Sequence, residues 1–151
     1  MNNELVISST PDEVTIALLE DKHIVELNSE KKDQRFQVGD IYLGRVKKLI
    51  QGLNAAFVDV GHEKDAFLHY LDLGPQVDSL LKLIKQSTSG KNPDPMLANF
   101  QLEKDIDKGG KINNVLSPNQ WVLVQVAKEP ISSKGPRITS ELSLAGRFVV
   151  L

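Results

Sequence analysis

Two aromatic residues and one lysine could together hold a nucleic-acid strand: Phe57 and Phe67, separated by a glycine-containing turn, and Lys134, followed by Gly135 in a loop rich in Ser and Pro. An exposed aromatic ring stacks on the face of any base and contributes about 1 to 3 kcal/mol per base. A loop lysine meets phosphate oxygens without a demanding geometry. Each residue also has a plainer reading. Ala56, Val58 and Val60 share one parity of the run Asn54 to Val60, and Ala55, Phe57 and Asp59 share the other, so Phe57 is either core or a surface platform beside a charge. Phe67 competes with Ala66 and Leu68 for the inward parity, and buried phenylalanine is the commoner case. If both rings face outward on adjacent antiparallel strands, the turn Gly61 to Lys64 sets them side by side as a two-base platform. Lys134 alone would be an ordinary solvated lysine, but Lys128 to Arg137 holds three cations against Glu129. Arg45 and Lys47 either extend the same electrostatic track or serve as solubilising charges.

The remaining constellations carry little chemistry. His62 and His69 flank Asp65, yet two ligands on a turn fall short of a tetrahedral metal site. Nothing in the sequence fixes the separation of Asp59 and Asp65, as paired carboxylates for metal-assisted hydrolysis would require. Gly109-Gly110-Lys111 lacks the spacing of a phosphate loop. No nucleophile and base pair stands out. With no cysteine in the chain, disulfides, thiolate catalysis and cysteine-held zinc are excluded within it.

A net charge of −2 gives no global sign of polyanion binding. Its distribution says more, because residues 1–35 hold four Lys/Arg against eight Asp/Glu, leaving the rest at +2. Ile41 to Val58 contains Arg45, Lys47 and Lys48 and no acid, so a polyanion site must be a local patch. A hydrophobic fraction of 40% and a charged fraction of 25% are those of a globular domain. No run reaches the roughly 20 apolar residues of a membrane span, and Met1 to Glu4 does not open a secretory signal. A cytoplasmic protein with no membrane partner is expected.

The elements that must position these residues are mostly strands. Leu5 to Ile7, Val14 to Leu19 and His23 to Leu27 read as an antiparallel meander with tight turns, too small to stand alone. A polar stretch, Asn28 to Arg35, leads away from it. Ile41 to Leu49, Asn54 to Val60 and Ala66 to Tyr70 follow as strands. In the first, Tyr42, Val46 and Ile50 share the core face while Arg45 and Lys47 take the other. Val77, Leu80, Leu81 and Ile84 predict a short helix over 77–86. A loop over about 87–117 has no evident role. Trp121 to Lys128 and Ile138 to Leu144 are the last two strands. Three strands, a helix and two strands is the order of the OB barrel, a five-stranded Greek-key barrel that binds oligonucleotides. Phe148 to Leu151 reads as part of one more strand, cut short.

The runs Val38 to Val46, Leu53 to Gly61 and Ala66 to His69, with Val124 to Glu129, Ser133-Lys134-Gly135 and Leu142 to Leu151, resemble the amino-terminal part of the ribonuclease E and ribonuclease G endoribonucleases. The long stretch Pro75 to Leu116 is closer to the ribonuclease G-like branch. The resemblance implies a mainly β chain: an OB barrel of the ribosomal protein S-one type at 36–141, inserted between pieces of an incomplete RNase H-like domain at 1–35 and 142–151. It implies that Phe57 and Phe67 stack on bases of single-stranded RNA and that Lys134, with Lys128 nearby, contacts the strand. It also implies that magnesium, structural zinc, the 5′-phosphate sensor and catalysis lie beyond Leu151, in a homo-oligomeric enzyme of RNA processing, including ribosomal RNA, and decay. This stretch alone would bind without cutting. A dimerisation or scaffold-docking module, or a free-standing RNA-binding factor, are the competing expectations.

Overall fold

The computed structural model describes residues 2–31, 35–89 and 97–151 and divides the chain into two compact units, Met1–Arg35 and Phe36–Leu151. The first is a three-stranded antiparallel sheet, β1 (Asn3–Ser9), β2 (Glu13–Glu20) and β3 (His23–Lys31), in the order β1-β2-β3. Asp21 and Lys22 both lie at positive φ (47° and 68°) between Glu20 and His23, the mirror-image turn that matches strand twist. All of β1 and β3 is exposed and only Ala17 of β2 is buried, so the sheet has no core of its own. The polar stretch after Leu27 does not leave the sheet as expected: Asn28 to Lys31 continue β3, paired with Glu13 to Ile16. Residues 32–34 of that stretch lie outside the described residues.

The second unit is a closed barrel. β4 (Ile41–Ile50), β5 (Ala55–Asp59), β6 (Ala66–His69), β7 (Trp121–Lys128) and β8 (Arg137–Thr139) run around it in the order β4-β5-β6-β8-β7. This is the expected OB barrel, with one longer helix, α1 (Val77–Thr88), between its third and fourth strands. Closure depends on β4, which pairs with β7 through Ile41 to Arg45 and with β5 through Arg45 to Ile50. Gly44 permits this sharing, because a Cβ there would come within 2.6 Å of Val58 Cγ1. Alternating residues fill the interior: Val46, Ala56, Val58, Ala66, Leu68, Val122, Val124, Val126 and Ile138 are almost wholly buried. α1 places Val77 and Leu81 against this core, and Ile112 and Leu116, in and just after the short α2 (Ile112–Val115), add to it.

Three expectations are corrected. β4 does not alternate cleanly: a bulge lies between Val46, opposite Val58, and Lys48, opposite Phe57. The extra residue inverts the parity, so Leu49 rather than Ile50 packs against the core. The strand expected at Ile138 to Leu144 is only Arg137–Thr139, because Ser140 N and Thr139 Oγ1 both turn to the Asp72 carbonyl. Phe148 to Leu151 is not a lone strand end. It folds back as a hairpin in which Leu144 and Leu151 exchange two backbone hydrogen bonds of 2.9 Å. Of the long loop, 90–96 lies outside the described residues. The later part is pinned to the barrel by Asn54 and by Tyr70, whose hydroxyl donates to the Asp107 carbonyl.

Candidate nucleic-acid interface

β5 and β6 are adjacent antiparallel strands whose register sets Phe57 directly opposite Phe67. Their neighbours Ala56, Val58, Ala66 and Leu68 are fully buried, so both rings stand on the outer face, half-buried. The ring centroids are 5.8 Å apart with planes inclined at 71°. That is an edge-to-face contact.

Basic residues continue the pair in both directions. The bulge in β4 places Lys48 opposite Phe57, with its ammonium 5.1 Å from the ring centroid. On the far side Arg137 of β8 is paired with Phe67. Lys48, Phe57, Phe67 and Arg137 therefore form one row across four strands. The row lines a groove of about 700 Å³ that also takes in Lys134, Lys64 and Asp65. Lys48, Lys64 and Lys134 against Asp65, with Arg137 paired to Asp72, make the groove locally electropositive in a chain of net charge −2.

The Lys134 loop is held over this groove by backbone. Ile131 and Lys134 close a tight turn through reciprocal hydrogen bonds, with Ser132 at φ 50°. Phe67 N donates to the Pro136 carbonyl at 2.9 Å. Gly135 packs so closely on the turn before β6 that a Cβ would overlap the Asp65 carbonyl. Arg137 is fixed by two hydrogen bonds to Asp72, from Nε at 3.0 Å and from Nη2 at 3.1 Å.

Of the residues singled out from sequence, the structure brings Phe57, Phe67 and Lys134 together. The other three stand outside the groove. Arg45 lies 5.9 Å over the ring of Trp121. Lys47, the bulge residue, binds Asp65 at 2.7 Å and Asp59 at 3.7 Å, and the hydrogen bond to Asp65 raises its pKa. Lys128 is exposed beside Arg137 on β7. Conversely, sequence reading missed Lys48, Lys64 and Arg137. All three were visible as charges, but only the cross-strand register assigns them to the site.

The histidines close turns: His62 Nδ1 accepts from Lys64 N at 3.0 Å, and His69 Nδ1 accepts from Leu71 N at 3.1 Å. Asp59 accepts from Gly61 N at 3.0 Å and shares Lys47 with Asp65. Among the described residues no three His, Asp or Glu side chains converge as metal ligands, and no helix is long and apolar enough to cross a membrane.

Over 150 residues, 99% of its length, the chain is 30% identical to ribonuclease G of Escherichia coli (strain K12), covering 27% of that protein. Ribonuclease G of Haemophilus influenzae is 33% identical over 147 residues, which are 97% of this chain and 26% of the relative. Ribonuclease E of Synechocystis sp. (strain PCC 6803) is 40% identical over 116 residues, 76% of this chain and 13% of the relative. The chain spans about a quarter of the length of the ribonuclease G relatives. No family profile matches it.

Proposed function

The chain belongs to the ribonuclease E/G family, and we propose that its barrel binds single-stranded RNA for a single-strand-specific endoribonuclease acting in RNA processing and decay. The observation that carries this reading is the outward pair Phe57 and Phe67, continued by Lys48 and Arg137 and overhung by the Lys134 loop. Half-buried rings on rigid strands offer stacking surfaces already in place, while the lysines supply phosphate contacts that are independent of sequence. Lys128 would meet the strand where it leaves the groove beside Arg137. Arg45 and Lys47 have smaller parts in this reading: the first is engaged with Trp121, and the second is ion-paired with Asp65 of the groove and lies near Asp59.

Cleavage is assigned to residues outside these 151. Magnesium would supply the hydrolytic chemistry of the whole enzyme; in this chain the paired carboxylates Asp59 and Asp65 share the ammonium of Lys47. A cysteine-held zinc does not fit, as the chain has no cysteine. On the same reading 1–35 and 142–151 are pieces of one RNase H-like domain that the barrel interrupts.

Titration of a labelled single-stranded RNA tests the proposal. The unaltered chain should bind, with an affinity that falls steeply as salt rises, and should leave the RNA intact. Binding unaffected by both Phe57→Ala and Phe67→Ala would overturn it.

A further inference from the structure

A third aromatic ring stands on the outside of the barrel, away from the groove. Val122 of β7 is buried, so Trp121 beside it points outward, and it is 44% exposed. Its direct partner across the ladder is Arg45 of β4, whose guanidinium lies 5.9 Å from the ring centroid. Trp121 also walls a cleft of about 250 Å³ beside α1, lined in addition by Lys82, Lys85, Asn119 and Gln120 and, among the described residues, by no carboxylate. Lys82 is committed to Glu103 at 2.6 Å, whereas Lys85 is exposed in the last turn of α1. Asp59, opposite Arg45 on β5, lies 3.7 Å from the Lys47 ammonium, and no described carboxylate is ion-paired with Arg45 or Lys85. An isolated surface tryptophan needs no explanation. One flanked by two cations without a described counter-ion has the composition of a stacking site for a polyanion.

This site shares a surface with the groove. Trp121, Arg45 and Asp59 form one row across β7, β4 and β5, and Asp59 is two residues from Phe57 on the same outer face of β5. At sheet spacings, two strands across and two residues along separate Trp121 from Phe57 by about 12 Å. A gap of that order falls within the roughly 4 to 16 nucleotides that an OB fold covers. The nearby carboxylates of Asp59 and Asp65 face the Lys47 ammonium, which reduces their repulsion of phosphate. Resting on the RNA-binding reading above, we propose that Trp121, Arg45 and Lys85 form a second RNA contact, where a base stacks on the indole and the two cations meet phosphates of RNA that continues out of the groove. The contact adds length to the bound segment and is indifferent to base identity.

The chain has one tryptophan, so its own fluorescence reports the site. Oligouridylates of about four and about twelve nucleotides are titrated into the whole chain, with labelled copies followed by anisotropy in parallel. The longer oligomer should quench Trp121 over the concentration range in which it binds, while the shorter one fills the groove without quenching. Trp121→Ala should weaken the longer oligomer about tenfold and leave the shorter one unchanged. Trp121→Phe keeps a stacking ring and should recover most of that loss. Arg45→Ala and Lys85→Ala should each lower the log–log salt slope for the longer oligomer by about 0.7. Binding of the longer oligomer with unchanged emission overturns the inference, as does equal affinity of Trp121→Ala and the parent for it. Self-association that Trp121→Ala abolishes, with RNA affinity unaltered, also overturns it and makes this face a protein contact. The emission of the unaltered chain decides the matter even where a variant fails to fold. Phe67→Ala separates the two levels: if it weakens both oligomers and Trp121→Ala weakens neither, only the inference fails. If neither oligomer binds the unaltered chain, the RNA-binding reading fails with it.

Discussion

Phe57 and Phe67 are direct cross-strand partners whose rings meet edge to face at 5.8 Å. The two ring planes are inclined at 71° to each other, so two bases stacked on them would be splayed rather than parallel. Each ring also supports its partner's orientation. Phe57→Ala and Phe67→Ala should each weaken binding to single-stranded RNA by about 1 to 3 kcal/mol. Because the rings touch, the double variant should lose less than the sum of the two. Each variant should stay folded but melt several degrees lower, since the edge-to-face contact, about 1 kcal/mol, adds to the burial that the half-buried ring loses. Oligonucleotide titration with parallel thermal melts checks both statements.

Lys47 and Lys48 are neighbours in sequence with different roles, which the bulge separates. Lys48 faces the groove and Lys47 is tied to Asp65 and Asp59. Lys48→Ala should reduce the log–log salt slope of RNA binding by about 0.7, the contribution of one phosphate contact to a single strand. Lys47→Ala should change the slope less, since its charge is already balanced. Equal slope changes would place both lysines on the strand.

The same bulge shows where sequence reading stopped. Val122, Val124 and Val126 alternate and are buried, and Ala56 and Val58 do the same in β5, because period-two burial is a local property of a half-buried strand. The order of three strands, helix and two strands was likewise legible from turn residues and periodicity. The site was only partly legible. Phe57 sits between buried Ala56 and Val58, but Ala55 on its own parity is also fully buried, so alternation did not fix which way the ring points. Lys48 and Arg137 reach the groove through pairings between residues distant in sequence, and no local pattern encodes register. The end of β8 at Thr139 depends on hydrogen bonds to Asp72, a residue in another element.

Gly135 links loop shape to the groove. A Cβ there would overlap the Asp65 carbonyl and lie 2.9 Å from the Lys64 carbonyl oxygen, and both are backbone atoms that cannot rotate away. Gly135→Ala should cost about 1 to 3 kcal/mol of stability, as other over-packed sites do. It should also weaken RNA binding about as much as Lys134→Ala does, because the loop must lift. Lys134→Ala should leave the melting temperature unchanged. Chemical denaturation and titration of the two variants separate the effects.

Asn54 is the pin that joins the barrel to the segment after α1. It adopts the left-handed conformation at φ 47° and ψ 47°, ending a 3₁₀ turn at Gln51–Leu53. Its side-chain amide donates to the Gly110 carbonyl at 3.1 Å, and its side-chain oxygen accepts from Ile112 N at 2.7 Å. These bonds precede Ile112 and Leu116, which are buried in the core. Asn54→Ala removes both bonds, strands a backbone N–H and puts a Cβ in a disfavoured conformation, for a loss of about 2 to 4 kcal/mol. Asn54→Gly removes the same bonds but relieves the backbone strain, so it should lose less than Ala. Asn54→Asp keeps the acceptor for Ile112 and should lose least. Asn54 does not line the groove, so below the melting transition all three variants should bind RNA within about twofold of the parent. A variant that melts normally but fails to bind would instead tie the 107–116 segment to the RNA site.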